Sequence, residues 1–447
     1  MAMDLQFARG MRNYVDLDKG VVHRKIFYDA DIYQLEMEQI FARAWLFMAH
    51  ASQIPNPGDF FLNFMGEDRV IVVRNNEGGV NVLINSCRHR GNAVCRADEG
   101  HATSFMCTYH GWTYDLKGAL VGVPGFKEVY HEELDRENWG LINAAQVDEY
   151  KGFIFATMDP EAPSLSEYLG PAGKFGIDML ADRGEMTIFG GVEKYSMKAN
   201  WKFPSDNTAD FYHGLTHIST QMAGYSGQRA NKLQGRSKPG ENGKQRPGTA
   251  VIGEYGHICG MQFLPDNWQD VIKDEVAEQW RFDPEVQKRM GPLKSSGQGC
   301  MTNIFPNLFV PARAQQVAIR MPKGPQNCEI WYFSFYDKNE SEAAQKEHRF
   351  VAGHTFGASG MLEQDDGENW DQSTRGQRGV ISSRYPLNYQ MNFGRGEIIV
   401  DEEGPTRIND FVNENYMLWQ HRAWSEFMSA ESWAELKETH SRPEGTL

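Results

Sequence analysis

The sequence predicts an α+β protein with two domains, a small all-β domain and a larger domain of strands and helices. The chain has 447 residues, which is longer than most single domains. From about residue 58 to residue 156 it consists of short β-rich runs separated by turns. Beyond residue 160, strand-like and helical runs are grouped apart rather than alternating as βαβ units, and this grouping favours the α+β class.

The elements follow from local patterns, taken in chain order. Apolar and charged residues alternate with helical spacing over 31–49 and predict a helix. Arg69–Arg74 and Val80–Ile84 flank a polar turn and predict a hairpin, and Gly152–Ala156 predicts a strand. In the larger domain we predict strands over Val192–Met197, Gln316–Met321 and Glu329–Phe335, and helices over Ser341–Phe350 and Tyr416–Lys437. We assign residues 38–157 to the small domain, and residues 1–37 and 158–447 to the larger one.

Composition excludes several classes of function. Hydrophobic residues make up 40% of the chain, which supports ordinary cores, and the net charge of −15 argues against a nucleic-acid partner. No apolar run approaches the roughly 20 residues that span a bilayer, and the first residues lack the apolar segment of a signal peptide. Six cysteines in a chain of this length are no disulfide framework. We expect a cytoplasmic protein that binds neither membranes nor nucleic acid.

Two short segments each supply one cysteine and one histidine, Cys87-Arg-His89 and Cys107-Thr-Tyr-His110. In a Rieske [2Fe–2S] cluster two cysteines hold one iron and two histidines hold the other. A zinc site with two cysteines and two histidines uses the same residue types. In such a site one segment usually supplies both cysteines and another supplies both histidines, whereas each segment here supplies one of each. The spacing therefore favours the Rieske cluster, with zinc as the alternative.

A second set of metal-ligating residues follows in the larger domain. Asp210, His213 and His217 have the spacing of one helical face, with the histidines one turn apart and Asp210 placed to orient His213. The acidic segment Leu362–Trp370 offers a third ligand, although carboxylates also gather at the start of solvated helices. Two histidines and one carboxylate form the facial triad of non-haem Fe(II) oxygenases, which leaves positions open for O2.

Together these motifs resemble the large (α) subunit of Rieske non-haem iron ring-hydroxylating dioxygenases. The likeness covers nearly the whole chain, and it is strongest to members that act on biphenyl, naphthalene, polycyclic hydrocarbons and phenylpropionate. The segments that carry it include Ile40-Phe-Ala-Arg-Ala-Trp45, Ile54-Pro-Asn-Pro-Gly-Asp59, Cys87-Arg-His-Arg-Gly91, Tyr109-His-Gly-Trp112, Lys151-Gly-Phe-Ile-Phe155, Asn200-Trp-Lys-Phe-Pro204, Phe305-Pro-Asn307 and Leu362-Glu-Gln-Asp-Asp366.

The resemblance implies an all-β Rieske domain, a helix-grip catalytic domain and a set of ligands. The cluster would be held by Cys87, Cys107, His89 and His110, and the mononuclear Fe(II) by His213, His217 and Asp366. Asp210 would carry an electron from His110 of a neighbouring subunit to His213, since the family forms α trimers. One departure is the short spacing of the two iron histidines, which are separated by three residues rather than the usual four or five.

The resemblance also implies a reaction and partners. The expected reaction adds both atoms of O2 to an aromatic ring and forms a cis-dihydrodiol, with NADH as the ultimate electron donor. No Gly-x-Gly-x-x-Gly fingerprint is present, so we expect NADH to bind a separate reductase, with a ferredoxin as conduit. A small β subunit in an α3β3 assembly is expected. Arg88 and Arg90 are candidates for ferredoxin docking, and structural pairing with carboxylates is the alternative.

Candidates for the substrate pocket come from segments that flank the iron ligands, and ordinary core packing is the alternative for each. They are Phe203, Asn207, Phe211, Gly214, Leu308, Phe309, Phe356, Met361 and Leu362. The Gly-rich, basic stretch 221–250 is either an active-site lid or a solvated loop. With Arg313 it leaves a rival substrate open, an arene that bears a carboxylate. A Rieske monooxygenase or demethylase with the same metals is the other alternative.

Overall fold

The computed structural model describes residues 5–223, 247–400 and 404–443. Contacts divide the chain into two compact units, a small one over Phe41–Leu165 and a larger one over Met1–Ile40 and Ser166–Leu447. The predicted start of the small domain, residue 38, lies three residues before the observed start, and its predicted end, residue 157, lies eight residues before the observed end. Within the basic stretch 221–250, interpreted above as either a lid or a solvated loop, residues 224–246 lie outside the described residues.

The larger unit begins with α1 (Leu5–Arg9), β1 (Val15–Asp16), β2 (Val21–Val22) and α2 (Ala30–Glu36). Asp29 caps α2, because its carboxylate accepts the backbone N–H groups of Asp31 and Ile32 at 3.1 and 3.0 Å. A π-helical turn over Met37–Phe41 ends the helix, and the chain continues as the fully buried strand β3 (Leu46–His50). The helix predicted over 31–49 is therefore wrong in its second half, where Leu46–His50 is a strand. A short apolar run fits a buried strand as well as a helix.

The small unit is built from β3 and nine further short strands. They are β4 (Asp59–Met65), β5 (Asp68–Arg74), β6 (Val80–Ile84), β7 (Glu99–His101), β8 (Phe105–Met106), β9 (Thr113–Tyr114), β10 (Leu120–Gly122), β11 (Gln146–Tyr150) and β12 (Phe153–Thr157). They form three sheets with the orders β6-β5-β4-β7, β10-β9-β8 and β11-β12-β3. The predicted hairpin is confirmed as β5 and β6, and its turn is closed by the Asn75 side chain, which accepts the Gly79 N–H at 3.0 Å.

After the small unit the larger unit resumes, and it contains most of the helices. They are α3 (Leu165–Ala181, broken at Gly170), α4 (Lys202–Asp206), α5 (Ile218–Ala223), α6 (Trp268–Ile272), α7 (Pro284–Ser295), α8 (Glu342–Thr355), α9 (Met361–Gln377), α10 (Asn415–Ser429) and α11 (Trp433–Thr439). Single 3-10 turns cover Gly10–Tyr14, Arg24–Phe27, Ala51–Gln53, Arg136–Trp139, Asn207–Ala209, Glu254–Gly256, Val276–Phe282, Ala312–Ala314 and Ser382–Arg384.

A ten-stranded antiparallel sheet forms the centre of the larger unit, in the order β13-β20-β19-β18-β17-β16-β15-β23-β22, with β14 also paired to β20. Its strands are β13 (Met186–Ile188), β14 (Glu193–Met197), β15 (Gly248–Ile252), β16 (Ile258–Phe263), β17 (Gly297–Ile304), β18 (Leu308–Pro311), β19 (Gln316–Pro322), β20 (Cys328–Asp337), β22 (Ile398–Ile399) and β23 (Arg407–Ile408). A smaller sheet pairs β1, β2 and β21 (Leu387–Asn388).

The predicted fold class is confirmed, since the small unit is a sheet domain and the larger one combines an antiparallel sheet with separate helices. The three strands and the helix at Ser341–Phe350 occur where the sequence predicts them, as β14, β19, β20 and α8. The long helix predicted over Tyr416–Lys437 is two helices, α10 and α11. Ala430 is extended, and the Ser432 side chain accepts the Glu435 N–H at 3.2 Å, so a new helix starts there.

A buried ionic cluster ties three distant helices of the larger unit together. Glu36 at the end of α2 is 0% exposed and lies 2.5 Å from the ammonium group of Lys202, which is 2% exposed. Its carboxylate also accepts the indole N–H groups of Trp201 and Trp424, each at 2.8 Å. Because every polar atom of the carboxylate has a partner, the charge is held at a fixed place. The cluster anchors α4, which leads directly to Asp210.

Over the residues that the structure describes, no helix has both the length and the apolar character that crossing a bilayer requires.

Candidate metal centres

The two Cys–His segments of the small unit are copies of one backbone design. In the first, the Gly91 N–H donates to the Cys87 carbonyl at 2.7 Å, and in the second the Gly111 N–H donates to the Cys107 carbonyl at 2.9 Å. Both glycines have a left-handed φ, +74° and +75°. A side chain is disfavoured in that conformation, so each glycine lets its loop fold back behind the cysteine. The repeated geometry presents one thiol and one imidazole from each loop.

The side chains of both loops meet in the small unit. Cys87 and Cys107 are 3% and 1% exposed within its apolar core. The rings of His89 and His110 lie 4.5 Å apart, and His89 also stacks on Trp112 at 5.0 Å. The Nδ1 atom of His89 is buried and has no hydrogen-bond partner among the described residues. A buried nitrogen without a hydrogen-bond partner, in the same unit as two buried thiols, would gain a partner if it bound the iron of a cluster.

Hydrogen bonds favour thiolates at this place. The pKa of Cys107 is lowered: burial opposes ionisation, but N–H groups of Tyr109 and His110 and the Asn92 side chain favour the anion. The Tyr114 hydroxyl lies 3.3 Å from the Cys87 sulfur and accepts the Arg88 N–H at 3.1 Å, which leaves its own proton for the sulfur. Such hydrogen bonds are among the features that set the potential of an iron–sulfur cluster.

The spacing of these ligands argues against a single zinc ion. Bond lengths of about 2.0–2.3 Å would bring all four ligand atoms of a zinc site to within about 4 Å of one another. Among the described residues, the histidine, cysteine and acidic groups whose ligand atoms all lie within 4.8 Å form one set, and it is in the other unit. A [2Fe–2S] cluster would not require this convergence, since its cysteine ligands would hold one iron and its histidine ligands the other.

The set that does converge is His213, His217 and Asp366. The Asp366 carboxylate lies 3.5 Å from Nε2 of His213 and 3.4 Å from Nε2 of His217. The histidines precede α5, and Asp366 lies inside α9 and is 5% exposed. The structure thus brings together the three residues that the sequence predicts as iron ligands, although 149 positions separate His217 from Asp366.

The histidines are not on a helix, which corrects the prediction from their spacing. Asp210 is extended, with ψ at +95°, and residues 211–217 form bends and turns before α5 starts at Ile218. The Asp210 side chain accepts the Tyr212 N–H at 2.9 Å, and this local bond competes with a helix. The Thr216 N–H donates to the His213 carbonyl at 2.8 Å, and that tight turn brings the two imidazoles together with three residues between them.

Each imidazole has a carboxylate behind it. Asp210 lies 3.3 Å from Nδ1 of His213, and Asp365 lies 3.5 Å from Nδ1 of His217. Both Nδ1 atoms are buried and lack a partner with hydrogen-bond geometry in the described part of the chain, so these contacts are close approaches of charge rather than formed hydrogen bonds. A carboxylate behind Nδ1 favours the tautomer that leaves Nε2 as the ligand atom. Asp365 also accepts the hydroxyls of Ser219 and Thr220 at 2.9 and 2.7 Å, which connects the start of α5 to α9. From the sequence, Asp365 is one of several acids in the segment Leu362–Trp370, and its contact with His217 was not predicted.

The electrostatics of the triad call for a cation. Burial raises the pKa of Asp366 to about 7, with Glu363 and Asp210 adding repulsion that the nearby His213 only partly offsets. Burial and the neighbouring His213 lower the pKa of His217 to about 4, so this imidazole is neutral at physiological pH. A neutral imidazole and a carboxylate that is costly to ionise both gain from a divalent ion between them. The donor set fits Fe(II).

The pocket candidates are distributed over two clusters and a separate contact. Phe309, Phe356 and the buried Tyr332 form one cluster, with Phe309 edge-on to Phe356 at 5.7 Å. Phe211 packs on Phe411 at 4.0 Å, close to Gly260, and Phe203 stacks on Phe27 at 4.4 Å. Leu308 is buried in β18, while Asn207, Gly214, Met361 and Leu362 are half-buried near the ligands in sequence. That these residues line a substrate pocket stays a prediction.

Two of the arginines considered from sequence have structural contacts. Arg88 donates to the Gly140 carbonyl at 3.1 Å and lies over the Trp139 ring, whereas Arg90 is exposed. Arg313 is half-buried beside Gly299. The arginine next to the iron-ligand segment is instead Arg320, which donates to Thr208 at 2.5 Å. It stands in an apolar strand pattern, and no signal in the sequence distinguished it.

Comparisons with known proteins agree with both centres. The family described as the ring hydroxylating alpha subunit (catalytic domain) matches residues 187–416, and the Rieske [2Fe-2S] domain matches residues 44–136. The chain is 37% identical to the biphenyl 2,3-dioxygenase subunit alpha of Rhodococcus jostii, over 95% of this chain and 92% of that one. It is 34% identical to the benzene 1,2-dioxygenase subunit alpha of Pseudomonas putida, over 95% and 94%. The crystal structure of naphthalene 1,2-dioxygenase from Rhodococcus sp. bound to indole superposes with a TM-score of 0.81, at 30% identity and 97% and 100% coverage.

Proposed function

This chain belongs to the Rieske ring-hydroxylating dioxygenase α subunits, and we propose that it is the terminal oxygenase that converts an arene to a cis-dihydrodiol. The family membership establishes an oxidoreductase with a Rieske cluster and a mononuclear iron. In the proposed reaction the arene takes up both atoms of O2, two electrons and two protons. One C=C bond of the ring is replaced by two C–O bonds, and NADH is oxidised to NAD+.

The observation that carries the proposal is the convergence of His213, His217 and Asp366 within 4.8 Å in a chain that also has the Cys–His loops. We assign the cluster to Cys87, Cys107, His89 and His110, and the mononuclear iron to the triad. The cluster supplies electrons singly, and the iron with open positions supplies the place where O2 and substrate meet. Asp210 and Asp365 orient the two imidazoles through their Nδ1 atoms.

Asp210 has a second proposed task, the passage of an electron. Its carboxylate already contacts His213 at 3.3 Å, and it is partly exposed, so a second group can reach it. In an α3 or α3β3 assembly this group would be His110 of a neighbouring subunit. Burial raises the pKa of Asp210, but contacts from His213 and the Tyr212 N–H lower it by more. The net effect is a lowered pKa, which favours the charged carboxylate over the neutral acid.

The proposed partners complete the electron route. The relatives are α subunits of multi-component dioxygenases, which implies a β subunit and electron-transfer proteins. We propose a ferredoxin that reduces the cluster and a reductase that binds NADH. The six cysteines all lie in the described part of the chain, where they are buried and form no disulfide, and we propose the cytoplasm as the compartment. Relatives of nearly equal identity are named for biphenyl and for benzene, so a panel of arenes is the appropriate substrate set.

Product analysis with labelled O2 tests the proposal. The purified enzyme is supplied with NADH, reductase and ferredoxin, and is given naphthalene, biphenyl, larger polycyclic arenes and phenylpropionate in turn. We expect a cis-dihydrodiol that contains two labelled oxygen atoms from a single O2. A product with one labelled oxygen would instead establish a monooxygenase or demethylase and overturn the proposal.

A further inference from the structure

Arg320 is a buried arginine that points to the class of substrate. It lies in β19 and is 2% exposed. Its Nη1 donates to the hydroxyl of Thr208, two residues before Asp210, at 2.5 Å. Its guanidinium carbon lies 4.2 Å from the centre of the Phe309 ring, which in turn packs against Phe356. The cation therefore lies beside the segment that leads to the proposed iron ligands, and on the face of one pocket candidate, Phe309.

The charge of Arg320 has no direct partner in the described part of the chain. No carboxylate oxygen there lies within 4.0 Å of the guanidinium, and its Nε is buried without a hydrogen bond. The nearby acid Glu363 is already engaged on both oxygens. Tyr195 donates to one of them and Tyr332 to the other at 2.8 Å. Glu363 thus contributes a field at Arg320 but no contact.

An unpaired buried cation is costly, and the cost falls when an anion binds to it. A guanidinium presents parallel N–H groups that match a carboxylate, and here one edge of the group is unused. The surrounding rings of Phe309, Phe356 and Tyr332 offer flat apolar surface for an arene. One fixed donor group among aromatic walls is the pattern of a site for an aromatic acid.

We propose that Arg320 binds a carboxylate of the substrate, so that the enzyme oxidises aromatic acids in preference to bare hydrocarbons. This inference rests on the proposed function, since it names the substrate class of the same active site. The Thr208 hydroxyl positions the guanidinium through its hydrogen bond, and the face of the Phe309 ring packs against it. The ring of the acid then lies toward the iron triad, while the carboxylate remains unchanged in the reaction.

The wild-type enzyme provides the first test, with acids and their neutral amides as matched pairs. The pairs are benzoate and benzamide, 3-phenylpropionate and 3-phenylpropanamide, and cinnamate and cinnamamide. We expect kcat/KM for the preferred acid to exceed that of its amide by roughly 10- to 150-fold, the range for hydrogen bonds to a charged group. Calorimetry with the same compounds under anaerobic conditions should show the same order of affinities.

Variants locate the anion. R320M should remove most of the acid-to-amide ratio, and R320K, which keeps the charge but not the planar fork, should give an intermediate ratio. R375M is the control, because Arg375 is exposed and pairs with Asp371 on the outer face of α9. Rieske absorbance and iron content, measured for each variant, show whether the fold is retained.

The outcomes separate this inference from the proposed function. Equal use of acids, amides and hydrocarbons, with a ratio that R320M leaves unchanged, would overturn the assignment of Arg320 while dihydrodiol formation stands. A ratio lost in R313M rather than R320M would place the anion at Arg313 and overturn it as well. If no arene is oxidised by fully loaded enzyme, the proposed function fails, and calorimetry with acid and amide still decides on the anion site.

Discussion

At the scale of single residues, the proposed iron triad is surrounded by side chains that are not themselves proposed as ligands. Asp365 is the clearest case, because one carboxylate contacts His217 at 3.5 Å and receives the hydroxyls of Ser219 and Thr220. Its hydroxyl partners hold the start of α5, and its charge lies where it can orient the imidazole. The turn that carries the histidines has no helix of its own to hold it, so these contacts replace helical rigidity.

We predict that D365N weakens iron binding by roughly 10- to 100-fold, the usual effect of removing a carboxylate behind a histidine ligand. The amide keeps the size of the side chain but loses the charge at Nδ1 of His217. Competition with a chelator, followed by iron analysis, measures the affinity. D371N on the exposed face of the same helix is the control. Wild-type affinity in D365N would show that Asp365 only connects α5 to α9.

The residues of the site could be predicted from sequence to a large extent, for a physical reason. Metal ligands are restricted to a few residue types, so Cys87, His89, Cys107 and His110 are visible as a pattern of type and spacing. Arg320 could not be singled out from the sequence, because Thr208 and Phe309 are brought close to it only by the fold. The same holds for Asp365, which is one of several acids in its segment.

At the scale of elements, the two cluster loops depend on their glycines. Gly91 and Gly111 have the same left-handed φ, but their surroundings differ. A Cβ at Gly111 would lie 2.7 Å from the Pro124 ring, while at Gly91 the nearest atom is the Ser86 hydroxyl at 3.8 Å. Gly111 is therefore required both by its backbone conformation and by the lack of space for a Cβ, whereas Gly91 is required by its backbone conformation alone.

We therefore predict an order of cluster stability in which wild type exceeds G91A and G91A exceeds G111A. The left-handed conformation costs a side chain about 1–2 kcal/mol, and the contact with Pro124 adds to this in G111A. The half-life of the Rieske absorbance on heating measures the order. G78A is the control, since Gly78 has a φ of +87° in the hairpin turn with open space around it. A G111A protein as stable as G91A would contradict the steric argument.

Element boundaries were harder to predict than element types. The strands β5, β6, β19 and β20 follow from alternation and turn residues, and the structure has them. The predicted helix over 31–49 turned into β3 at Leu46, because apolar residues on both sides of a buried strand have no clear period. The triad segment was predicted as a helix because its spacing fits one, but the Asp210 side chain bonds to the backbone instead.

At the scale of the whole molecule, the chain joins two units with different iron chemistry. The small unit presents thiols and imidazoles from its two Cys–His loops, and the larger unit brings two imidazoles and one carboxylate together. The buried Glu36–Lys202 pair holds the end of α2 against α4, so that α2 supports the segment leading to Asp210. The order of motifs along the sequence predicted the two units, but the pairing of the ten-stranded sheet required the structure.

The most direct test of two unlike iron centres is the iron and sulfide content of purified wild type and D366A. We predict about three irons and two acid-labile sulfides per wild-type chain, and a loss of about one iron with no loss of sulfide in D366A. The variant should keep its Rieske absorbance and lose turnover. Iron content that D366A leaves unchanged, or zinc with no sulfide in wild type, would contradict the account.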